Sequence, residues 1–205
     1  MLRELFTIGH SSHSLPEFLA LLEKHAIGVI CDVRSTPYSR RNPQFNREDL
    51  RDALAERGIR YVFLGKELEA RAEDPGCYVD GQARYDRIAK TPLFQSGLDR
   101  VRKGIESLRV GLMCAEADPL ICHRTILVCR ELRLEGLSIA HILPTGEIES
   151  QEDAEDRLLR LAKLDNGDLF RSRSELLEQA YDIHGKKIAY TRPTDRTAPH
   201  SEVLR

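Results

Sequence analysis

Short, almost wholly apolar runs alternate along the chain with stretches whose apolar residues recur every three or four positions. That is the rhythm of strands separated by helices. Leu5-Phe6-Thr7-Ile8 reads as a strand ending at Gly9-His10. Ser14, with Glu17 three residues on and Pro16 in the first turn, opens a helix. Its stripe of Phe18, Leu19, Leu21 and Leu22 runs to His25, and Gly28 follows. Val29-Ile30-Cys31-Asp32-Val33 is apolar almost throughout, which predicts a central parallel strand covered on both faces. A polar loop over residues 34–45 leads to a second helix, opened by Asn46 with Asp49 and closed at Gly58. A third strand covers residues 59–64 and ends at Gly65-Lys66.

Residues 66–92 are weakly periodic and rich in turn residues, so they predict an excursion with one short helix near residues 84–90. A helix over 94–107 carries Phe94, Leu98, Val101 and Ile105 on one stripe, and Val110-Gly111-Leu112-Met113-Cys114 reads as a buried strand. A helix over 122–135, a strand over 138–143 and a helix from Gln151 to Leu164, capped by Ser150 with Asp153, complete the pattern. Beyond these come a turn at 165–168, a helix over 169–181, an edge strand at 187–191 and a mobile tail from Thr194. The expected fold class is α/β: a three-layer, open, mostly parallel sheet of about five strands flanked by helices. One domain would cover residues 1–164, with a short C-terminal extension over 165–205.

The chain has 205 residues, enough for one domain with a full core. Lys and Arg (31) nearly balance Asp and Glu (33), for a net charge of -2, so bulk charge does not hold it on nucleic acid. No apolar run reaches the roughly 18 residues that span a bilayer, and no basic-then-apolar leader is visible. Five cysteines, an odd number, then suggest reduced thiols. The expectation is a cytoplasmic chain with no membrane partner, with a homodimer kept as a possible assembly.

Open parallel sheets bind ligands beyond the carboxyl ends of their strands, so the residues after each strand matter most. They are Gly9-His10-Ser11, Asp32-Val33-Arg34 with Tyr38 and Ser39, Gly65-Lys66, and Cys114-Ala115-Glu116 followed by Cys122-His123-Arg124. A cysteine at a helix start beside His and Arg has its thiolate favoured, and an anion there gains backbone donors and a guanidinium fork. Cys122 and Cys114 are therefore candidate nucleophiles, with His10, Asp32 and Glu116 as acid or base candidates. Arg34, Arg124, His123, Ser11, Ser39, Tyr38 and Lys66 are candidates for holding substrate. Asp32 and Arg34 read equally well as an ion pair fixing their loop. Cys31 and Cys129 sit in apolar patterns and are expected to pack as small hydrophobes. Cys114 and Cys122 stand eight residues apart, and Cys122 and His123, if helical, diverge by about 100°. No cofactor is therefore expected, with a metal kept only as an alternative.

Thr7-Ile8-Gly9-His10-Ser11, Asp32-Val33-Arg34 with Pro37 and Ser39, Tyr61 through Leu64-Gly65-Lys66-Glu67-Leu68, and Cys114-Ala115-Glu116 with Pro119 and Cys122-His123-Arg124 together resemble the DUF488 family. The resemblance runs from about residue 5 to 145, with Glu69 standing where the family usually has glycine. It implies a compact α/β domain and points to the same rim residues, but supplies no reaction. The functional expectation is an enzyme acting on a phosphate-bearing substrate, nucleotide or nucleic acid. The alternatives are a non-catalytic nucleic-acid module using the Arg-rich loop 34–47, or a Cys/His metal or redox site.

Overall fold

The computed structural model describes residues 4–166 and 170–192. The chain enters through strand β1 (Glu4–Gly9) and helix α1 (Leu15–Lys24). Ser14 Oγ takes the Glu17 amide while the Glu17 carboxylate takes the Ser14 amide, the reciprocal cap that the spacing predicts. Strand β2 (Val29–Asp32), helix α2 (Arg47–Glu56) and strand β3 (Arg60–Phe63) follow. Asn46 does not cap α2 as expected. Its Oδ1 instead accepts the Ser39 amide at 2.8 Å and fastens the polar loop.

The excursion is more ordered than its weak periodicity suggests. It holds a hairpin, β4 (Tyr78–Val79) and β5 (Gln82–Ala83), before the short helix α3 (Tyr85–Ile88). Asp80 and Gly81 both have positive φ, the two-residue turn geometry that matches strand twist. Helix α4 (Pro92–Ile105) and strand β6 (Val110–Cys114) come next. The helix expected over 122–135 begins instead with wide π-type turns at Arg124–Cys129 and tightens into α5 (Arg130–Arg133). Then come β7 (Ser138–Ile142), β8 (Ile148–Ser150), α6 (Gln151–Ala162) and α7 (Arg173–Ile188).

The main sheet has six strands in the order β3-β2-β6-β1-β7-β8, all parallel except β8. That is one strand beyond expectation, because β8 is too short for periodicity to register. The C-terminal elements also shift. α7 starts only after its Ser172/Glu175 cap, and Lys187 and Ile188 complete the helix rather than an edge strand. Only Thr191 bridges to Gln82. The tail from 194, and part of the turn at 165–168, lie outside the described residues. Among the described residues no helix is long and apolar enough to cross a membrane.

Strand alternation feeds two cores. Phe6, Ile8, Ile30 and Met113 pack with α1 and α2, while Leu5, Val29, Cys31, Val110 and Leu112 pack with α4 to α7. β6 lies between β2 and β1, so Asp32, Cys114 and Gly9 end side by side. β3 is at the edge, which carries Lys66 away from them.

A buried polar chain crosses the second core. Thr7 Oγ1 bonds His141 Nδ1 (2.8 Å), His141 Nε2 bonds Gln151 Oε1 (3.0 Å), and Gln151 Nε2 donates to the Tyr181 hydroxyl (2.6 Å). Tyr181 then donates to Glu155 at 3.0 Å. Burial, then the Arg124 charge, press the His141 imidazole down to about 3, so it is neutral in the fold.

Two outcomes follow from this packing. A Cβ at Gly9 would stand 1.7 Å from the Glu116 carbonyl oxygen, so Gly9→Ala is expected to lower stability in chemical denaturation by about 2 kcal/mol or more. A neutral variant, His141→Gln, should be less stable than the native chain near neutrality. The unfolded native chain takes up a proton below about pH 6.5 and the folded one does not. The stability gap should therefore narrow by on the order of 3 kcal/mol as pH falls from about 6.5 to about 4. A gap independent of pH would mean that His141 titrates normally in the fold.

Candidate functional site

β6 carries its chain straight into the rim as Cys114-Ala115-Glu116-Ala117. The β1–β6 ladder continues past both strands, His10 N to Cys114 O and Ser11 N to Ala115 O, each 2.9 Å. Side-chain-free Gly9 lets the Glu116 backbone lie against β1. Arg124, fully buried, holds this loop from below. Its Nη1 donates to Glu116 O (2.6 Å), Nη2 to Ala117 O (3.2 Å) and Nε to Thr7 Oγ1 (3.3 Å). The guanidinium expected to grip a substrate anion is thus a strut within the protein.

A turn over Pro119–Ile121, capped by Asp118, brings the chain back. Cys122 is extended (φ -125, ψ 138) and His123 is helical (φ -62, ψ -24). The divergence expected of adjacent helical residues does not arise, because Cys122 precedes the helix. The amides of Thr125 and Ile126 both return to Cys122 O, at 3.2 and 3.1 Å, and the Arg124 amide donates to Cys122 Sγ at 3.4 Å. Wide turns of this kind recur where a helix is adjusted to a functional site.

The side chains of Cys114, Cys122 and His123 converge, with one ligating atom from each lying within 4.8 Å of the others. Cys114 Sγ is 3.7 Å from His123 Nδ1, and His123 Nε2 is 3.0 Å from Val33 O. Since a carbonyl only accepts, Nε2 carries the proton there; burial would lower the imidazole, but the Cys122 sulfur and the Glu116 carboxyl outweigh it and raise it above its usual value. The two thiols are driven apart. A hydrogen bond to Cys122 and then burial push Cys114 well above the usual thiol range. Burial would raise Cys122 too, but the bond from Cys114, the Arg124 charge and His123 outweigh it and hold Cys122 well below that range. Burial and then the Cys122 sulfur raise the Glu116 carboxyl, whose Oε2 is buried without a hydrogen-bond partner.

A cavity of about 380 Å³ opens above this cluster, in the range of small-molecule sites. Cys114, Glu116 and His123 line its floor beside Arg34, Ser35 and Thr36. Cys122 is not among the lining residues, so the acidic thiol and the accessible one are different residues. The roof comes from segments the sequence reading did not place at the site: Arg71 and Tyr85 from the excursion, Ile188 and Tyr190 from the end of α7 and beyond. Arg71 lies 4.4 Å over the Tyr190 ring. The chain at Tyr190 and Arg192 pairs with the hairpin, Ala83 N to Tyr190 O and Arg192 N to Gly81 O, both 2.8 Å. Aromatic residues in otherwise polar, weakly periodic segments were the available signal, since a tyrosine there packs on something.

The remaining candidates have other tasks. Asp32, fully buried, accepts from the Arg34 amide (3.0 Å), Arg34 Nε (2.9 Å), Arg34 Nη2 (2.6 Å) and the Tyr61 hydroxyl (2.7 Å). It is a clamp, not an acid or base facing the cavity. Arg34 also donates to Phe45 O at 2.9 Å and reaches the cavity wall at one edge. His10 is 3 % exposed and stacked on Phe45 at 4.3 Å; its Nδ1 bonds Ser11 O (3.0 Å) and its Nε2 meets Arg34 Nη1 (3.2 Å). Burial, then Arg34, lower it to about 4, so it is neutral near pH 7, and it packs behind the cavity without lining it. Ser11 turns with positive φ outside the cavity, Ser39 Oγ accepts the amides of Arg41 and Asn42, and Tyr38 donates to Glu48 at 2.9 Å. Lys66 is exposed on a separate groove. Cys31 and Cys129 are buried and pushed up by burial, Cys31 to about 12, as packing thiols should be.

Among curated proteins and among solved structures nothing matches the chain. A family model does match, over residues 14–130, a span that takes in Arg34 and the whole Cys114–Arg124 segment. The chain therefore belongs to the DUF488 family, described as a domain of unknown function.

Proposed function

We propose that this protein is an enzyme that binds a small phosphate- or carboxylate-bearing molecule in the rim cavity. Glu116 moves a proton there during a hydrolytic or group-transfer step. The observation that carries the reading is Glu116 itself. It lines the cavity, its Oε2 is buried without a partner, and burial raises its carboxyl above the usual carboxylate range. A buried carboxyl oxygen left without a partner costs stability, and a site that retains one has a use for it.

The anionic end of the substrate meets Arg71, with the clamped Arg34 and the Ser35 and Thr36 segment in the same wall. Tyr85 and Tyr190 offer flat walls for an uncharged portion. The cavity volume suits a small molecule rather than a polymer strand. The Arg-rich loop gives less support to nucleic acid as substrate, since Arg34 is clamped, Tyr38 is bonded to Glu48, and Arg47 covers the Phe63 ring at 4.7 Å.

Inorganic phosphate and a nucleoside monophosphate, titrated by calorimetry, are suitable first probes. Arg71→Ala should weaken whichever binds by about ten-fold or more. Once a turned-over substrate is found, Glu116→Gln should lower kcat by about 10²–10⁴-fold with KM little changed. The same substitution should leave thermal stability equal or higher, because it replaces a carboxyl whose charge burial disfavours with a neutral amide. Full turnover in Glu116→Gln would remove the acid–base reading.

A further inference from the structure

We propose that Cys114 Sγ, Cys122 Sγ and His123 Nδ1 form a binding site for one divalent transition-metal ion of the zinc class, with the fourth coordination position open to the rim cavity beside Glu116. The inference rests on the reading of the rim cavity as the reactive site, and names what sits beside Glu116 there.

The separations fit. Metal–sulfur bonds of about 2.3 Å and metal–nitrogen bonds of about 2.0 Å place tetrahedral ligands about 3.5 Å apart for S to N and about 3.8 Å for S to S. Cys114 Sγ and His123 Nδ1 are 3.7 Å apart, and all three ligating atoms lie within 4.8 Å of one another. Closure onto an ion therefore needs side-chain adjustment only.

The surroundings fit as well. His123 Nε2 is fastened to Val33 O at 3.0 Å, the outer-shell arrangement that fixes a ligating imidazole and leaves Nδ1 free. The Arg124 amide points at Cys122 Sγ, a donor suited to a thiolate. Charge also balances. Two thiolates and the Glu116 carboxylate carry three negative charges, and a divalent ion with the Arg124 guanidinium carries three positive ones.

Glu116 does not belong to the group of three, yet it lines the same cavity with a partnerless oxygen. That places it beside the open position, where it would hold a proton of a metal-bound water. Three protein ligands with one position facing a cavity is the pattern of a catalytic rather than a structural zinc site. The thiolate and imidazole donors exclude magnesium and calcium, which take oxygen.

The full chain, purified without chelators, should contain about one zinc-class ion per molecule by elemental mass spectrometry. Cobalt added to the metal-stripped chain should give the visible bands of a tetrahedral site and sulfur-to-cobalt charge transfer, both abolished by zinc. Cys122→Ser, which leaves the cavity lining untouched, should weaken zinc binding by at least about 100-fold, beyond the usual loss from a supporting partner. Cys129→Ser should bind as the native chain does. The cobalt spectrum of the native chain needs no variant, so a misfolded mutant does not shelter the proposal. A folded native chain that shows no sulfur-to-cobalt transition, or a Cys122→Ser chain that binds zinc normally, overturns it. So does a metal-free isolate whose Cys114 and Cys122 simply join as a disulfide on oxidation. The two readings fail separately. Tight zinc binding with undiminished turnover in Glu116→Gln removes only the acid–base role, while turnover by stripped protein that Glu116→Gln abolishes removes only the metal.

Discussion

A guanidinium removed from water must find acceptors in the protein, and Arg124 finds its own on both sides of a strand boundary. Two are the carbonyls of Glu116 and Ala117, and the third is Thr7 in the middle of β1. The charge thereby pins the loop after β6 onto the end of β1, which in turn requires glycine at position 9. Breaking a buried charge out of such a setting typically costs several kcal/mol, so the loop has little freedom to leave. The strut also connects through Thr7 to His141, Gln151 and Tyr181, which ties α6 and α7 to the same point. The cavity floor and the outer helices are thus parts of one bonded network.

Most of the frame was legible from the sequence because its signals are local. The Ser14–Glu17 cap, the apolar run at Val29 and the buried strand at Val110 each depend on a few neighbouring residues. β8 and the hairpin at Tyr78 were not, since strands of two or three residues are defined by their partners and not by their own pattern. The convergence of His10, Asp32, Cys114 and Cys122 on one rim followed from the parallel topology. Their individual tasks did not. Whether Arg124 meets an outside anion or the Glu116 carbonyl depends on where a loop folds back, and whether Cys122 is helical depends on the turn at Pro119. Both are tertiary facts, invisible to periodicity.

The thiols show how environment divides two like groups. Cys114 faces the cavity and donates to its neighbour, whereas Cys122 accepts and lies behind it. A simple nucleophile needs access and acidity on the same sulfur, and here the two are on different ones. The two sulfurs and the His123 ring, oriented by Val33 O, form one close cluster.

The floor and the roof of the cavity come from different stretches of chain. Cys114, Glu116, His123 and Arg34 fall inside the span 14–130 that defines family membership, whereas Ile188 and Tyr190 fall beyond it. Arg71 and Tyr85 of the roof fall inside that span too, so only the roof's C-terminal portion lies outside it. The C-terminal end of α7 and the hairpin it pairs with thus shape one side of the cavity while lying apart in sequence from the Cys114–His123 side.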